Sequence, residues 1–267
     1  LRGAPVAGGQ VYAVEIPSNC APGSFRTCAF AAPEFGGGVS TNFYQTMNLP
    51  VSMTPPVGTR YYWRVRACRV FGDDASCAAW SDVRYVDVGR LTYDVNGDGY
   101  DDLVVGGRYA AVEYLGSPAG VGGPRVLANP VPDATSGYGR TVHFDDFNAD
   151  GYRDVLVGAP FDRGFGAVML HLGGPSGLGV ATVRPNPPAS ELNDFFGDEL
   201  CSGDFDGDGY ADLLVGSSNG TWWYRGGASV ETEARLVQMR GFGGGCAGLN
   251  GGGYQDLPCP VYTSPDP

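Results

Sequence analysis

Apolar and polar residues alternate along much of the chain with a period of two. Over residues 61–68, Tyr61, Trp63, Val65 and Ala67 fall on one face, and Tyr62, Arg64, Arg66 and Cys68 on the other. That is the pattern of a β-strand with one buried side. The segment VYAVEI, from Val11, alternates in the same way. Short apolar runs at 103–105, 155–157 and 213–215 are rich in branched residues and read as strands. Gly-rich turns and further alternating segments follow them. Helical periodicity is hard to find, so the pattern predicts an all-β protein with many turns. The 44 Gly and 20 Pro fit that reading, and glycine without a three-residue period argues against collagen.

Each of the three apolar runs follows an acidic turn. The turns read DVNGDGYDD from Asp94, DFNADGYRD from Asp146 and DFDGDGYAD from Asp204. Oxygen side chains stand at positions 1, 3, 5 and 9 of each turn, with glycine at position 6. This spacing suits a hard cation such as Ca²⁺, which takes about 6–8 oxygen ligands. Carboxylates crowded within about 5 Å repel one another by roughly 1–4 kcal/mol per pair, and a divalent ion reverses that sign. The alternative is a plain Asp/Asn/Gly turn, and three copies at matched spacing argue against it. An EF-hand needs Glu at position 12, where this chain has Val105, Val157 and Val215. A worn copy, GLNGGGYQD, starts at Gly248 and has glycine where the acids of positions 1 and 5 belong; it is expected to bind no metal.

The formal net charge is −12, and it is uneven: residues 1–90 carry 8 Arg against 6 acids, leaving 9 Arg and 23 acids for the rest. Ten of those acids stand at the ligand-spaced positions. The acidic half argues against binding nucleic-acid phosphates. No apolar run reaches the length of a transmembrane helix, so no membrane insertion is expected. The N-terminus shows no charged segment leading into an apolar core, so a secreted form would have lost its leader.

Residues 1–89 read as a β-sandwich module. The segment GTRYYWRVRAC…CAAWSDVRYVDVG resembles the last strands of a fibronectin type III domain, with Tyr61 and the Trp80-Ser81 pair at that family's marker positions. The first strand is missing, so this resemblance implies an N-terminally truncated domain. Trp63 and Trp80 are expected in its core.

Residues 90–267 form a repeat array. The acidic turns start 52 and then 58 residues apart, a period that fits four-stranded propeller blades. An aromatic-Gly pair precedes the second, third and worn turns at Tyr138-Gly139, Phe196-Gly197 and Phe242-Gly243, and Gly158-Ala159-Pro160 follows the second. These elements resemble the FG-GAP repeat of integrin α-chain heads and of many bacterial secreted proteins. The resemblance implies a Ca²⁺-binding β-propeller, here partial, of about four blades. It implies three sites. The first uses Asp94, Asn96, Asp98, the Tyr100 carbonyl and Asp102. The second uses Asp146, Asn148, Asp150, the Tyr152 carbonyl and Asp154. The third uses Asp204, Asp206, Asp208, the Tyr210 carbonyl and Asp212.

Cys20 with Cys28 and Cys68 with Cys77 are spaced for hairpin disulfides in an oxidising compartment, with buried thiols as the alternative. Cys246 and Cys259 flank the worn turn and are candidates to pair, leaving Cys201. Gly216–Gly220 matches G-x-S-x-G, but a strand-like TWWYRGG follows where a nucleophile elbow needs a helix. His143 and His171 read as structural or exposed. Trp222, Trp223 and Tyr224 read as packing between blades. The expected function is a noncatalytic, calcium-stabilised binding or adhesion module, secreted or at the cell surface, for protein or glycan ligands. The alternative is an ancillary region of a secreted hydrolase or lyase, for which the acids Glu191, Asp194, Asp198 and Glu199 are the local feature to test.

Overall fold

The computed structural model describes residues 11–18, 20, 28, 30, 35–40, 49–130, 135–184, 192, 194–229 and 235–238. The chain divides into two compact units, residues 1–52 with 58–89 and residues 53–57 with 90–267. Among the described residues, no helix is long and apolar enough to cross a membrane.

The first unit holds β1 (Val11–Ile16), β2 (Phe35–Val39), β3 (Thr59–Cys68) and β4 (Arg84–Val88). They form one antiparallel sheet in the order β2-β1-β3-β4. Val14, Ile16 and Tyr61 form a core on one side, with Trp63 and Val65 packed against it. The other side of β3 is not left to water, as simple alternation predicts. Tyr62 is buried with Val83, near Cys20, Cys28 and Phe30. The Arg64 guanidinium lies 4.0 Å from the Phe30 ring centre and 4.3 Å from that of Trp80. Arg66 also lies over Trp80, at 4.3 Å. Trp80 is therefore a platform for two cations, where the sequence suggested a core residue; a weakly hydrated planar guanidinium makes such a face possible. Cys20–Cys28 and Cys68–Cys77 are disulfide-bonded, as their spacing suggests.

Among the described residues, the second unit contains three antiparallel meanders. The first has β5 (Leu103–Gly106), β6 (Ala111–Tyr114) and β7 (Arg125–Leu127). The second has β8 (Thr141–Asp145), β9 (Asp154–Ala159), β10 (Ala167–His171) and β11 (Thr182–Arg184). The third has β12 (Glu199–Gly203), β13 (Asp212–Ser217), β14 (Gly220–Tyr224) and β15 (Arg235–Gln238). Strands follow one another in space as in sequence, which fits a partial propeller. The worn turn at Gly248 and the Cys246 and Cys259 positions lie outside the described residues, whereas Cys201 is buried and disulfide-bonded.

Two cores separate the sheets, and β9 divides its side chains between them. Val155, Val157 and Ala159 enter the first with Val104, Tyr138 and Met169. Leu156 enters the second with Val168, Phe196, Leu213 and Val215. Trp222 and Tyr224 belong to this second core, while Trp223 is half-buried under Arg235.

The aromatic-Gly and Gly-Ala elements explain each other. Tyr138 and Phe196 are fully buried plugs. The glycine after each lies against a glycine of the preceding sheet. A Cβ on Gly106 would stand 2.2 Å from the Gly139 carbonyl oxygen, and one on Gly158 would stand 2.2 Å from that of Gly197. Backbone meets backbone at these points, so a side chain has no room.

Candidate metal centres

Each acidic turn leads into a strand, β5, β9 or β13, and each closes through the same bonds. The position-1 carboxylate accepts the position-6 N–H. Gly99 donates to Asp94 Oδ2 at 2.7 Å, Gly151 to Asp146 Oδ2 at 3.1 Å and Gly209 to Asp204 Oδ2 at 3.0 Å. Those three glycines have φ of 88°, 97° and 96°, where a Cβ is costly. The position-3 Oδ1 of Asn96, Asn148 and Asp206 accepts the N–H of position 5 at 3.2, 3.0 and 3.1 Å. The position-5 Oδ1 of Asp98, Asp150 and Asp208 accepts the N–H of Tyr100, Tyr152 and Tyr210 at 3.0, 3.0 and 3.1 Å.

The position-9 aspartates act as clips. Asp102, Asp154 and Asp212 each accept a turn N–H at Oδ2, from Val95, Phe147 and Phe205 at 2.7, 2.9 and 3.0 Å. Their Oδ1 atoms accept N–H groups just beyond β6, β10 and β14, from Gly116, Gly173 and Gly226 at 2.7, 2.8 and 2.8 Å. One side chain thereby pins the turn to the end of its own sheet.

Among the described residues, one group of acidic, His or Cys side chains offers three ligand atoms all within 4.8 Å of one another: Asp204, Asp206 and Asp208. In the first two turns position 3 is asparagine, which brings an amide oxygen in place of a carboxylate. All three donor sets are oxygen only, the chemistry of a hard divalent cation.

Burial makes these carboxylates reluctant to ionise. It pushes Asp154 up to about 8 and Asp212 up to about 7, with neighbouring turn carboxylates adding to the effect. Asp102 and Asp204 are pushed up to about 6, again by burial first. Asp94 and Asp208 are raised for the same reason. A cation among them would favour the ionised form and so reverse the cost.

Sequence reasoning missed several neighbours of the turns. Val57 donates its N–H to the Gly97 carbonyl at 2.8 Å, and Pro56 packs where a Cβ on Gly97 or Gly151 would fall. Arg90 Nη1 lies 3.3 Å from Asp146 Oδ2. Arg225 pairs with Asp206 and, at 3.4 Å, with Asp208. A signal for Arg225 was available, because Leu115 and Leu172 hold the equivalent place before Gly116 and Gly173.

The remaining candidates have structural duties. Tyr138 donates its hydroxyl to His171 Nε2 at 2.7 Å, and His171 Nδ1 donates to the Gly179 carbonyl at 2.9 Å. Burial lowers the pKa of this ring, consistent with a neutral imidazole. His143 Nε2 meets Ser202 Oγ at 2.7 Å, and that hydroxyl donates to Asp145 Oδ2 at 2.5 Å, linking β8 to β12. Ser218 lies in the turn from β13 to β14, so it does not open a helix. Asp194 accepts from Ser218 Oγ and the Asn219 N–H, and Asp198 pairs with Arg140 at 2.5 Å. Burial, with Asp198 beside it, raises the pKa of Glu199. Glu191 lies outside the described residues.

The repeat geometry agrees with what is found in other proteins. The FG-GAP repeat family matches residues 91–121, 138–171 and 196–230. Integrin alpha-7 of Rattus norvegicus is 40% identical over 138 residues, covering 46% of this chain and 12% of the relative. Integrin alpha-PS3 of Drosophila melanogaster is 28% identical over 270 residues, covering 85% of this chain and 23% of the relative. Integrin alpha-6 of Gallus gallus is 32% identical over 139 residues, covering 46% of this chain and 12% of the relative. The chain thus spans less than a quarter of the length of these relatives. With three matched repeats and three matching turns, the second unit carries an integrin-like FG-GAP module.

Proposed function

We propose that this chain is a noncatalytic extracellular binding or adhesion module whose FG-GAP unit is a partial propeller held by about three Ca²⁺ ions. The ligands are the oxygens of positions 1, 3, 5 and 9 of each turn, together with the Tyr100, Tyr152 and Tyr210 carbonyls. The observation that carries the calcium reading is the threefold repetition of one oxygen arrangement, down to the same backbone bonds. The first unit is read as a fibronectin type III-like module, of which one sheet is described.

The resemblance to integrin alpha chains supports a binding role for protein or glycan ligands. The end of the sheets away from the acidic turns offers a surface for it. Phe161, just past the far end of β9, meets Phe195 edge to face at 5.7 Å, and Arg140 covers Phe161 at 5.3 Å. Both rings are partly exposed, at 38%. Aromatic rings beside an arginine are common anchors of binding surfaces.

A chelator tests the metal reading. With free calcium about 10–20-fold above Kd, each site adds about 1.4–1.8 kcal/mol to folding. Thermal unfolding with and without chelator is expected to show a clear drop in Tm. An unchanged melting curve would sink the calcium assignment. Screening against extracellular matrix proteins and glycans, with Phe161→Ala as control, tests the binding role; loss of a hit in that variant supports this surface.

A further inference from the structure

The third acidic turn differs from the first two in a pair of residues that compensate each other. At position 3 the first two turns carry asparagine. Asn96 Nδ2 donates to Asp98 Oδ2 at 3.0 Å, and Asn148 Nδ2 donates to Asp150 Oδ2 at 2.9 Å. The amide thus offers the position-5 carboxylate a donor where a second carboxylate would repel it. The third turn carries Asp206, which when ionised can only accept hydrogen bonds. Two carboxylates then face each other with no donor from within the turn.

The missing donor comes from the end of β14. Leu115 and Leu172 precede the glycines that bond the position-9 clip in the first two sheets; Arg225 stands there in the third. Its Nη2 donates to Asp206 Oδ2 and lies 3.4 Å from Asp208 Oδ2. The Oδ1 atoms of these aspartates already accept the turn's own N–H groups. One guanidinium nitrogen therefore bridges the two Oδ2 atoms that are not engaged by the turn backbone, which are the atoms a cation would seek.

We propose that Arg225 is an internal counter-cation that holds the third site in shape without metal and competes with Ca²⁺ for the Asp206 and Asp208 oxygens. The inference rests on the calcium reading above. It makes the third site the weakest of the three despite its extra carboxylate. A side chain that is 34% exposed has room to swing outward when the ion enters. The third site then responds to calcium over a higher concentration range than the other two. Arg225 acts here as a positioning residue.

The test is calorimetric Ca²⁺ titration of the full chain, with Tm measured in chelator. Arg225→Leu, which restores the residue type of the other sheets, is expected to tighten the weakest site at least tenfold and to lower the metal-free Tm. Adding Asp206→Asn to that variant restores the arrangement of the first two turns and is expected to recover the metal-free Tm. Arg225→Gln keeps a donor without the charge and serves where the leucine variant does not fold; it too is expected to tighten the weakest site. Three calcium sites in the unsubstituted chain, with the weakest unchanged or weakened in the Arg225 variants, would overturn this inference and leave the calcium reading standing. Absence of stoichiometric calcium binding in the unsubstituted chain would overturn both.

Discussion

The first and second sheets of the FG-GAP unit begin from nearly the same words, LVVG in β5 and VLVGA in β9. Every residue of β9 is buried, whereas in β5 only Val104 is. The difference comes from their neighbours. β9 has β8 on one edge and β10 on the other, with a core against each face. β5 is the edge of its sheet among the described residues, and Leu103 and Val105 are 49% and 47% exposed. The repeat encodes a hairpin with a clip at its start. Whether that hairpin becomes core depends on what packs on both sides of it.

Equivalent substitutions can break this comparison. Leu103 and Leu213 each directly follow the position-9 aspartate, but Leu213 is 1% exposed. Leu213→Ala is expected to cost about 2–5 kcal/mol in a urea melt. Leu103→Ala is expected to cost under about 1 kcal/mol. Equal losses would mean that both hairpins are equally covered in solution.

Proton linkage sharpens it. Unfolded aspartates titrate near about 3.9. In the metal-free fold, burial raises Asp154 to about 8 but Asp102 only to about 6. The folded state therefore holds these protons more tightly than the unfolded chain. Metal-free stability should fall as pH rises through that interval, because the folded state binds more protons there. Asp154→Asn is expected to remove a slope reaching to about pH 8, and Asp102→Asn one that ends near pH 6. Melting curves in chelator across pH 4–8 check this. Because Asp212 is raised to about 7, only the part of the slope between about pH 7 and 8 belongs to Asp154, and its survival undiminished in Asp154→Asn would refute the assignment.

The smallest effect lies at position 4 of the turns. Gly97 and Gly207 have φ of 69° and 73°, and Ala149 holds the same conformation at 54°. A left-handed alanine costs roughly 1–2 kcal/mol, partly offset by the greater freedom of an unfolded glycine. Ala149→Gly is expected to raise stability by about 0.5–1 kcal/mol, read as a small gain in Tm. The reverse change in the first turn, Gly97→Ala, should lose more, because its Cβ would stand 2.8 Å from Pro56 Cα.

Much of this protein is local and therefore legible in its sequence. Alternation marks the strands, since successive side chains point to opposite faces. Acids two residues apart before a glycine mark the turns, whose bonds span at most five residues apart from the position-9 clip. What the sequence could not decide depends on residues distant along the chain. Arg64 and Arg66 alternate as solvent-facing residues should, yet Phe30 and Trp80 cover them. The Gly158 contact with Gly197 joins two sheets through a backbone approach with no periodic signature. Arg225 reaches Asp206 from 19 positions away, which only the register of β13 on β14 brings about. By itself the sequence determined which segments become hairpins and where oxygen atoms gather, because backbone geometry repeats within a few residues. The tertiary structure alone decided which hairpins are buried and which cation faces the third turn, because these follow from packing between segments far apart in the chain.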